Sequence, residues 1–351
     1  MQDFKKTIIS TFCIIITSLI FSVSILYYAN NITHNSDWLL REELAGNLDF
    51  LIVGASQSQC AMNTNIIDKE LYCNSYNLSS NSMKSIEKKL LINKELERNN
   101  INTIVLELSY DTFVLPDIGY STETNIFTIL RIDSFWDRVN YFIHYVRNNS
   151  KPYVFSEWIL NSLKSIYFNF LNVNIMDDNL EKTKGSNLLT SKDYSLSKTE
   201  IIENYNIDCY STDNFINSTV TGFEELIKTC KDRNIRTIVA VMPVSDGYIW
   251  SVDNLDQFNC YAKDLCDKYD VEFYDFNLLK NRYELFSDFN CYSSDNRHMS
   301  EIGSKVFSHV FSKIIEESKE KMSVNELFFS NYEEAKSNSP YMIVYKENRA
   351  E

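Results

Sequence analysis

Phe50-Leu51-Ile52-Val53-Gly54-Ala55-Ser56 runs from four large apolar residues into a glycine, a small residue and a hydroxyl. Four such residues in succession leave no polar face, so they predict a strand covered on both sides, as in a parallel sheet. Gly54 breaks the run, and Ser56 then falls on a strand-to-helix turn. A similar run spans 103–109, and a further strand is expected from Thr237 to Met242. Charged segments of helical period separate them. Ile86, Leu90 and Leu91 share one side of the first, and Phe223, Leu226, Ile227 and Cys230 one side of the second. Ile302, Val306, Val310 and Ile314, four residues apart, mark a last helix. Short strands alternating with helices define an α/β fold with a mostly parallel sheet.

Immediately before that last helix stands Asp295-Asn296-Arg297-His298. A serine hydroxyl is a weak nucleophile, so it needs an imidazole to take its proton and a carboxylate to orient the imidazole. Ser56, His298 and Asp295 supply the three groups, with helix or turn capping as the bland alternative for Asp295. The chain has four histidines: His34, His144, His298 and His309. His298 alone has a suitable context, because His309 falls inside the last helix, His34 just after an apolar N-terminal stretch and His144 in an aromatic-rich segment. Asp275 is a lesser candidate for the orienting carboxylate. Glu107 and Asp111 fall near the end of the third strand, where groups facing a ligand collect in open α/β sheets. No metal or cofactor is expected, since motifs such as His-Glu-x-x-His are absent.

These pieces resemble the SGNH/GDSL hydrolase superfamily. Gly54-Ala55-Ser56-Gln57-Ser58 looks like its nucleophile turn, Tyr76-Asn77-Leu78-Ser79-Ser80-Asn81 like its second block, and Asp295-x-x-His298 like its last. Val105-Leu106-Glu107-Leu108, Val239-Ala240-Val241-Met242-Pro243 and Phe273-Tyr274-Asp275-Phe276 resemble strands between, so the likeness spans 48–316. It is nearest to the membrane-anchored Gram-positive branch, which includes relatives of the teichoic-acid D-alanyl transfer protein and of envelope O-acetyltransferases. The resemblance implies a three-layer α/β/α sandwich. Ala55 stands where the family often has aspartate, and the second-block glycine and third-block asparagine lack clear counterparts. An oxyanion hole is therefore expected from the Ser56 backbone N–H, an N–H near Ser80 and the Asn81 amide.

Residues 7–29 carry no charge and are long enough to cross a bilayer as one helix, with Lys5 and Lys6 ahead of them. The expectation is residues 1–30 as a cytoplasmic stub and transmembrane anchor, followed by an extracytoplasmic domain over 31–318. A cleaved signal peptide is the competing reading. Residues 111–205 break the alternation and are rich in aromatics, including Phe135, Trp136, Tyr141 and Trp158, so they read as a helical insertion. That insertion is either a lid or docking surface, or an extra layer on the sheet. Residues 319–351 read as a charged tail. Eight cysteines without Cys-x-x-Cys pairing, one of them within the span, indicate neither a zinc ribbon nor a complete disulfide framework. Cys60 could be read as a rival nucleophile, but on a helix after the turn it would point into the packing. A net charge of −14 speaks against nucleic acid as a partner.

The resemblance implies a membrane-anchored serine acyltransferase or esterase acting on an envelope polysaccharide or teichoic-type polymer. Its acyl donor would carry acetyl or D-alanyl, and a multi-span membrane acyltransferase would be its partner. Transfer and hydrolysis differ only in which nucleophile reaches the acyl-enzyme. The rival class is a non-catalytic envelope assembly protein that keeps the fold and binds a partner.

Overall fold

The computed structural model describes residues 2–32, 44–115, 183–189, 208–209, 211–286, 289–293, 297–319 and 324–339, with a few positions between 132 and 143. Met1–Glu42 with Ser121–Asp177 form one compact unit, and Glu43–Tyr120 with Asp178–Glu351 form another. Of the expected insertion, most of 116–207 lies outside the described residues, as do His34, His144 and Asp295.

In the first unit, helix α1 runs Gln2–Ile32. Within it Ile9, Phe12, Ile14, Leu19, Ile20 and Phe21 are exposed. Among the described residues no helix is long and apolar enough to cross a membrane.

The second unit is built on five parallel strands: β1 (Phe50–Val53), β2 (Ser75–Asn77), β3 (Thr103–Glu107), β4 (Arg236–Val241) and β5 (Glu272–Asp275), in the order β2-β1-β3-β4-β5. Strand residues alternate between faces. On one face Phe50, Ile52, Val105, Ile238, Ala240 and Tyr274 pack against α2 (Ser56–Ala61), α3 (Thr64–Leu71) and α8 (Glu301–Lys319). The opposite face carries Leu51, Val53, Ile104, Leu106, Val239 and Val241, all buried. There α4 (Ser85–Arg98) packs on α5 (Asn217–Lys231), α5 on β4, and α7 (Leu255–Lys268) on β5. A short helix α6 (Asp246–Ser251) follows β4. The expected parallel α/β sheet with helices on both faces is thus present.

Helix faces match the sequence unevenly. In α5 Phe223, Leu226, Ile227 and Cys230 are all fully buried, as expected. In α8 Ile314 is buried as expected, but Ile302 is exposed, Val306 and Val310 are only partly covered, and the core also takes Phe307, Phe311 and Ile315. Four-residue spacing drifts around a helix of 3.6 residues per turn, so the true contact line interleaves three- and four-residue steps. Ser304, Ser308 and Ser312 complete that buried face, and Ser308 Oγ accepts from the Asn63 N–H at 2.8 Å. In α4 Ile86 is exposed, while Leu91 and Ile92 are buried together with Lys88 and Glu95.

At the sheet edge Arg236 of β4 grips Glu272 of β5 with two hydrogen bonds, at 2.6 and 2.8 Å. Burial works to raise the Glu272 carboxyl, but the Arg236 guanidinium, together with the Tyr274 and Ser318 hydroxyls, outweighs it and holds the carboxyl below its ordinary value. A depressed folded-state value means that the unfolded chain binds the proton more readily. This contribution to stability is therefore present above the unfolded carboxylate range, near 4.3, and is lost as pH falls through the lower folded value. Glu272→Gln should make the urea midpoint less sensitive to acid between neutral pH and about 3, as read by circular dichroism. An unchanged acid profile would show that the pair does not govern it.

Beyond α8 the chain returns to the domain. Phe328 bridges Leu279, and helix α9 (Tyr332–Ser337) buries Tyr332 and Ala335. Tyr332 Oη donates to Asp275 at 2.6 Å and lies 2.6 Å from Tyr110 Oη. Part of the segment expected to be a charged tail thus contributes to the core.

Candidate active site

A sheet of order 2-1-3-4-5 reverses its winding between β1 and β3, and ligands bind open α/β sheets beyond the C-terminal strand ends at that point. Ser56 follows β1, and Glu107 ends β3. Both line a cleft of about 210 Å³ together with Ser109, Asp111, Arg297 and His298.

Ser56 opens α2 and is half-buried. Gly54, just before it, has no room for a side chain: a Cβ there would run into Ser58 Oγ and the Glu107 side chain. The glycine lets the turn lie directly on β3. Ala55, the N-cap, makes no side-chain cap, so the backbone N–H groups of the first turn lack the usual capping acceptor at a site that opens on the cleft.

His298 arrives from the far end of the chain. Its Nε2 lies 2.7 Å from Ser56 Oγ, across 242 residues of sequence. A small pairing frames its loop: Tyr292 bridges Met299, the Ser293 N–H donates to the His298 carbonyl at 2.7 Å, and the Ser300 N–H donates to the Cys291 carbonyl at 3.0 Å. Gly303 in α8 permits that approach, since a side chain there would strike the Cys291 carbonyl. The Gln57 amide donates to the Arg297 carbonyl at 3.4 Å, joining the nucleophile helix to the histidine loop. Arg297 pairs with Asp111 at 3.1 Å and sits over the Tyr248 ring at 4.9 Å.

Ser56 and His298 thus meet, while Asp295 lies outside the described residues. Asp275 is placed elsewhere. It is buried and accepts from Asn259 Nδ2, the Asn277 N–H and Tyr332 Oη, and it is absent from the cleft lining. Burial raises its carboxyl despite those donors. Ser80 and Asn81 do not line the cleft either. After β2 the chain keeps pairing with β1: the Leu78 N–H donates to the Ile52 carbonyl at 2.8 Å and the Ser80 N–H to the Gly54 carbonyl at 3.4 Å. The Ser80 N–H is therefore committed to the ladder, and Asn81 is exposed. The chain turns at Ser82, whose φ is 50°, and Ser82, Met83 and Lys84 form the wall instead.

Cys60 is buried and absent from the lining, which leaves it in the packing. His309 contacts Glu70 on the surface. Cys13, Cys60, Cys73, Cys230, Cys260, Cys266 and Cys291 are free thiols, and burial pushes those of Cys230 and Cys266 up to about 12. Among the described residues no cluster of three or more His, Cys, Asp or Glu side chains could hold a metal.

Ser58 and Ser79 stand in the motifs quoted above but are given no role of their own there, and Lys88 and Tyr248 are not singled out. One available signal was Glu107 itself, a lone acid within Ile104-Val105-Leu106-Glu107-Leu108. A charge in a strand covered on both faces must find partners.

No protein-family model matches the chain, and no curated protein matches it. Among solved structures, it is similar to the crystal structure of a lipase/acylhydrolase from Enterococcus faecalis. The identity is 8%, the TM-score 0.33, and the match covers 77% of this chain and 97% of that one. At that score the likeness carries no weight here, and the architecture rests on the strand order and pairing described above.

Proposed function

We propose that the protein is a serine-dependent acyl hydrolase or acyltransferase. The observation that carries this reading is the 2.7 Å contact between Ser56 Oγ and His298 Nε2 in a cleft at the winding reversal of the sheet. His298 Nε2 takes the hydroxyl proton as Oγ bonds to the acyl carbonyl carbon, and the carbonyl oxygen becomes an oxyanion. The Ser56 backbone N–H is the proposed donor to that oxyanion. Collapse expels the donor's oxygen, which leaves with the proton from His298, and the acyl group stays on Ser56. A sugar or polyol hydroxyl, or water, then gives its proton to His298 and takes the acyl group, and Ser56 Oγ leaves with that proton from His298. Asp295 is the proposed orienting carboxylate. A serine-directed fluorophosphonate should label Ser56, as read by peptide mass spectrometry. A folded but unlabelled protein would favour an assembly protein that has kept the fold.

The finer reading is a membrane-anchored enzyme of the Gram-positive envelope that moves acetyl or D-alanyl onto a glycopolymer. The small cleft, walled by Lys84, Lys88, Asp111 and Arg297 beside Met83 and Leu115, supports a short acyl group, since a long chain would need an extended apolar channel. The uncharged stretch 7–29 and the exposed apolar side chains of α1 support an anchor. Added protease should therefore digest the body of the protein on intact spheroplasts. Release of a shorter soluble protein into the medium would make the segment a cleaved signal.

A further inference from the structure

Beneath the nucleophile turn lies a carboxylate that the acyl chemistry just proposed does not use. Glu107, at the end of β3, is fully buried. Its Oε2 accepts the Ala55 backbone N–H and the Ser58 hydroxyl, the latter at 2.9 Å, while its Oε1 is buried without a hydrogen-bond partner among the described residues. Ser58 Oγ also lies 2.7 Å from Ser79 Oγ. The Ser58 hydroxyl thus has three acceptors within reach, the Ala55 carbonyl at 3.1 Å being the third, and its one proton favours the carboxylate oxygen, the strongest of them. The Lys88 ammonium, itself buried, donates to the Glu107 backbone carbonyl at 3.3 Å and fixes the strand end from the other side. One oxygen atom thus ties β3 to the residue before Ser56 and to the residue two beyond it.

We propose that Glu107 is a positioning residue for the nucleophile: it sets the backbone of the Ala55–Ser58 turn, and through it the aim of Ser56 Oγ toward His298. The inference rests on the serine reading above. Two bonds from a rigid, buried acceptor bracket Ser56, so a turn freed of them can swing Oγ out of line. A displacement of about 1 Å in a reacting group costs on the order of 100-fold in rate. Among the described residues the Glu107 carboxylate hydrogen-bonds the Ala55 N–H and the Ser58 hydroxyl rather than the Ser56 or His298 side chain, so its effect passes through the turn.

The test uses the full chain and the rate of fluorophosphonate labelling at Ser56, normalised to the fraction of protein that is eventually labelled. Positioning predicts that Glu107→Ala labels to completion but about 30- to 100-fold more slowly, with faster hydrogen exchange at the Ala55 amide. Glu107→Gln, which keeps an acceptor oxygen, should stay within roughly 5-fold of the unaltered protein. Damage to the fold alone would lower the labelled fraction and leave the rate of the remainder unchanged, which would overturn the proposal. A glutamine variant as slow as the alanine one would overturn it too. If Glu107→Ala does not fold, Ser58→Ala decides: slower labelling supports the bracket, and an unchanged rate overturns it. Absence of labelling in the unaltered protein would remove the serine reading and this inference with it, whereas normal labelling with indifferent variants removes the inference alone.

Discussion

Ser56→Ala and His298→Ala are each expected to lower turnover of a small aryl acetate by several orders of magnitude, on the order of 10⁴ or more, while the unfolding midpoint stays nearly constant. The size follows from the chemistry. Without Oγ there is no acyl-enzyme, and without Nε2 the hydroxyl keeps its proton. Both side chains are half-buried on the cleft wall, so their removal leaves no large cavity. The double variant should be no slower than either single one, because the two groups act as a unit. Asp295→Asn adds a separate arm: a large loss would support it as the orienting group. Steady-state hydrolysis with active-site titration reads all of these, and an alanine variant at Ser56 with normal turnover would end the serine mechanism.

The second large effect is on stability. Arg282 is almost fully buried, and it pairs with Asp246 of α6 at 3.0 Å and donates to the Val244 carbonyl at 2.7 Å. Burial alone would lower its affinity for a proton, but the Asp246 carboxylate, together with the Tyr292, Tyr283 and Tyr110 side chains, more than offsets this and raises it. Asp246→Ala leaves that guanidinium in the interior without its counter-charge. Breaking such a pair from one side typically costs about 3–5 kcal/mol. Denaturant unfolding should show a loss of that size, and a double change of Asp246→Ala with Arg282→Met should recover much of it. A loss below about 1 kcal/mol for the single change would mean that water reaches the guanidinium. The effect reaches the site as well, since α6 carries the Tyr248 ring on which Arg297 rests.

How far the sequence reaches depends on what each residue must satisfy. Strands covered on both faces can be written only in apolar letters, so Phe50–Val53 and Thr103–Glu107 could be read directly, along with the turn that follows the first. Ser56 and His298 were legible because few serines follow such a turn and the chain has four histidines. Helix faces were less so: Ile302 and Ile86 look like core letters, yet Ser304 and Ser308 take the buried positions because the helix must come close to α2 and α3. The placing of Ser80 failed for a different reason. Block resemblance says nothing about how far β2 goes on pairing, and the ladder bond from the Ser80 N–H to Gly54 moves the cleft wall on to Ser82. The packed return of the chain at Tyr332 was illegible because a charged surround, Glu333-Glu334 and Lys336, hides one buried ring.

That ring has a bearing on timing. Asp275 closes the sheet at β5, yet the hydroxyl among the donors to its carboxylate belongs to a residue 57 positions later. As the chain grows, β5 can be laid down long before Tyr332 exists, and until then a desolvated acid lacks one of its donors. The full set of donors to that acid is therefore assembled only once α9 has docked. A chain cut short before Tyr332 would keep Ser56 and His298 but lack the hydroxyl that completes the set of donors to Asp275.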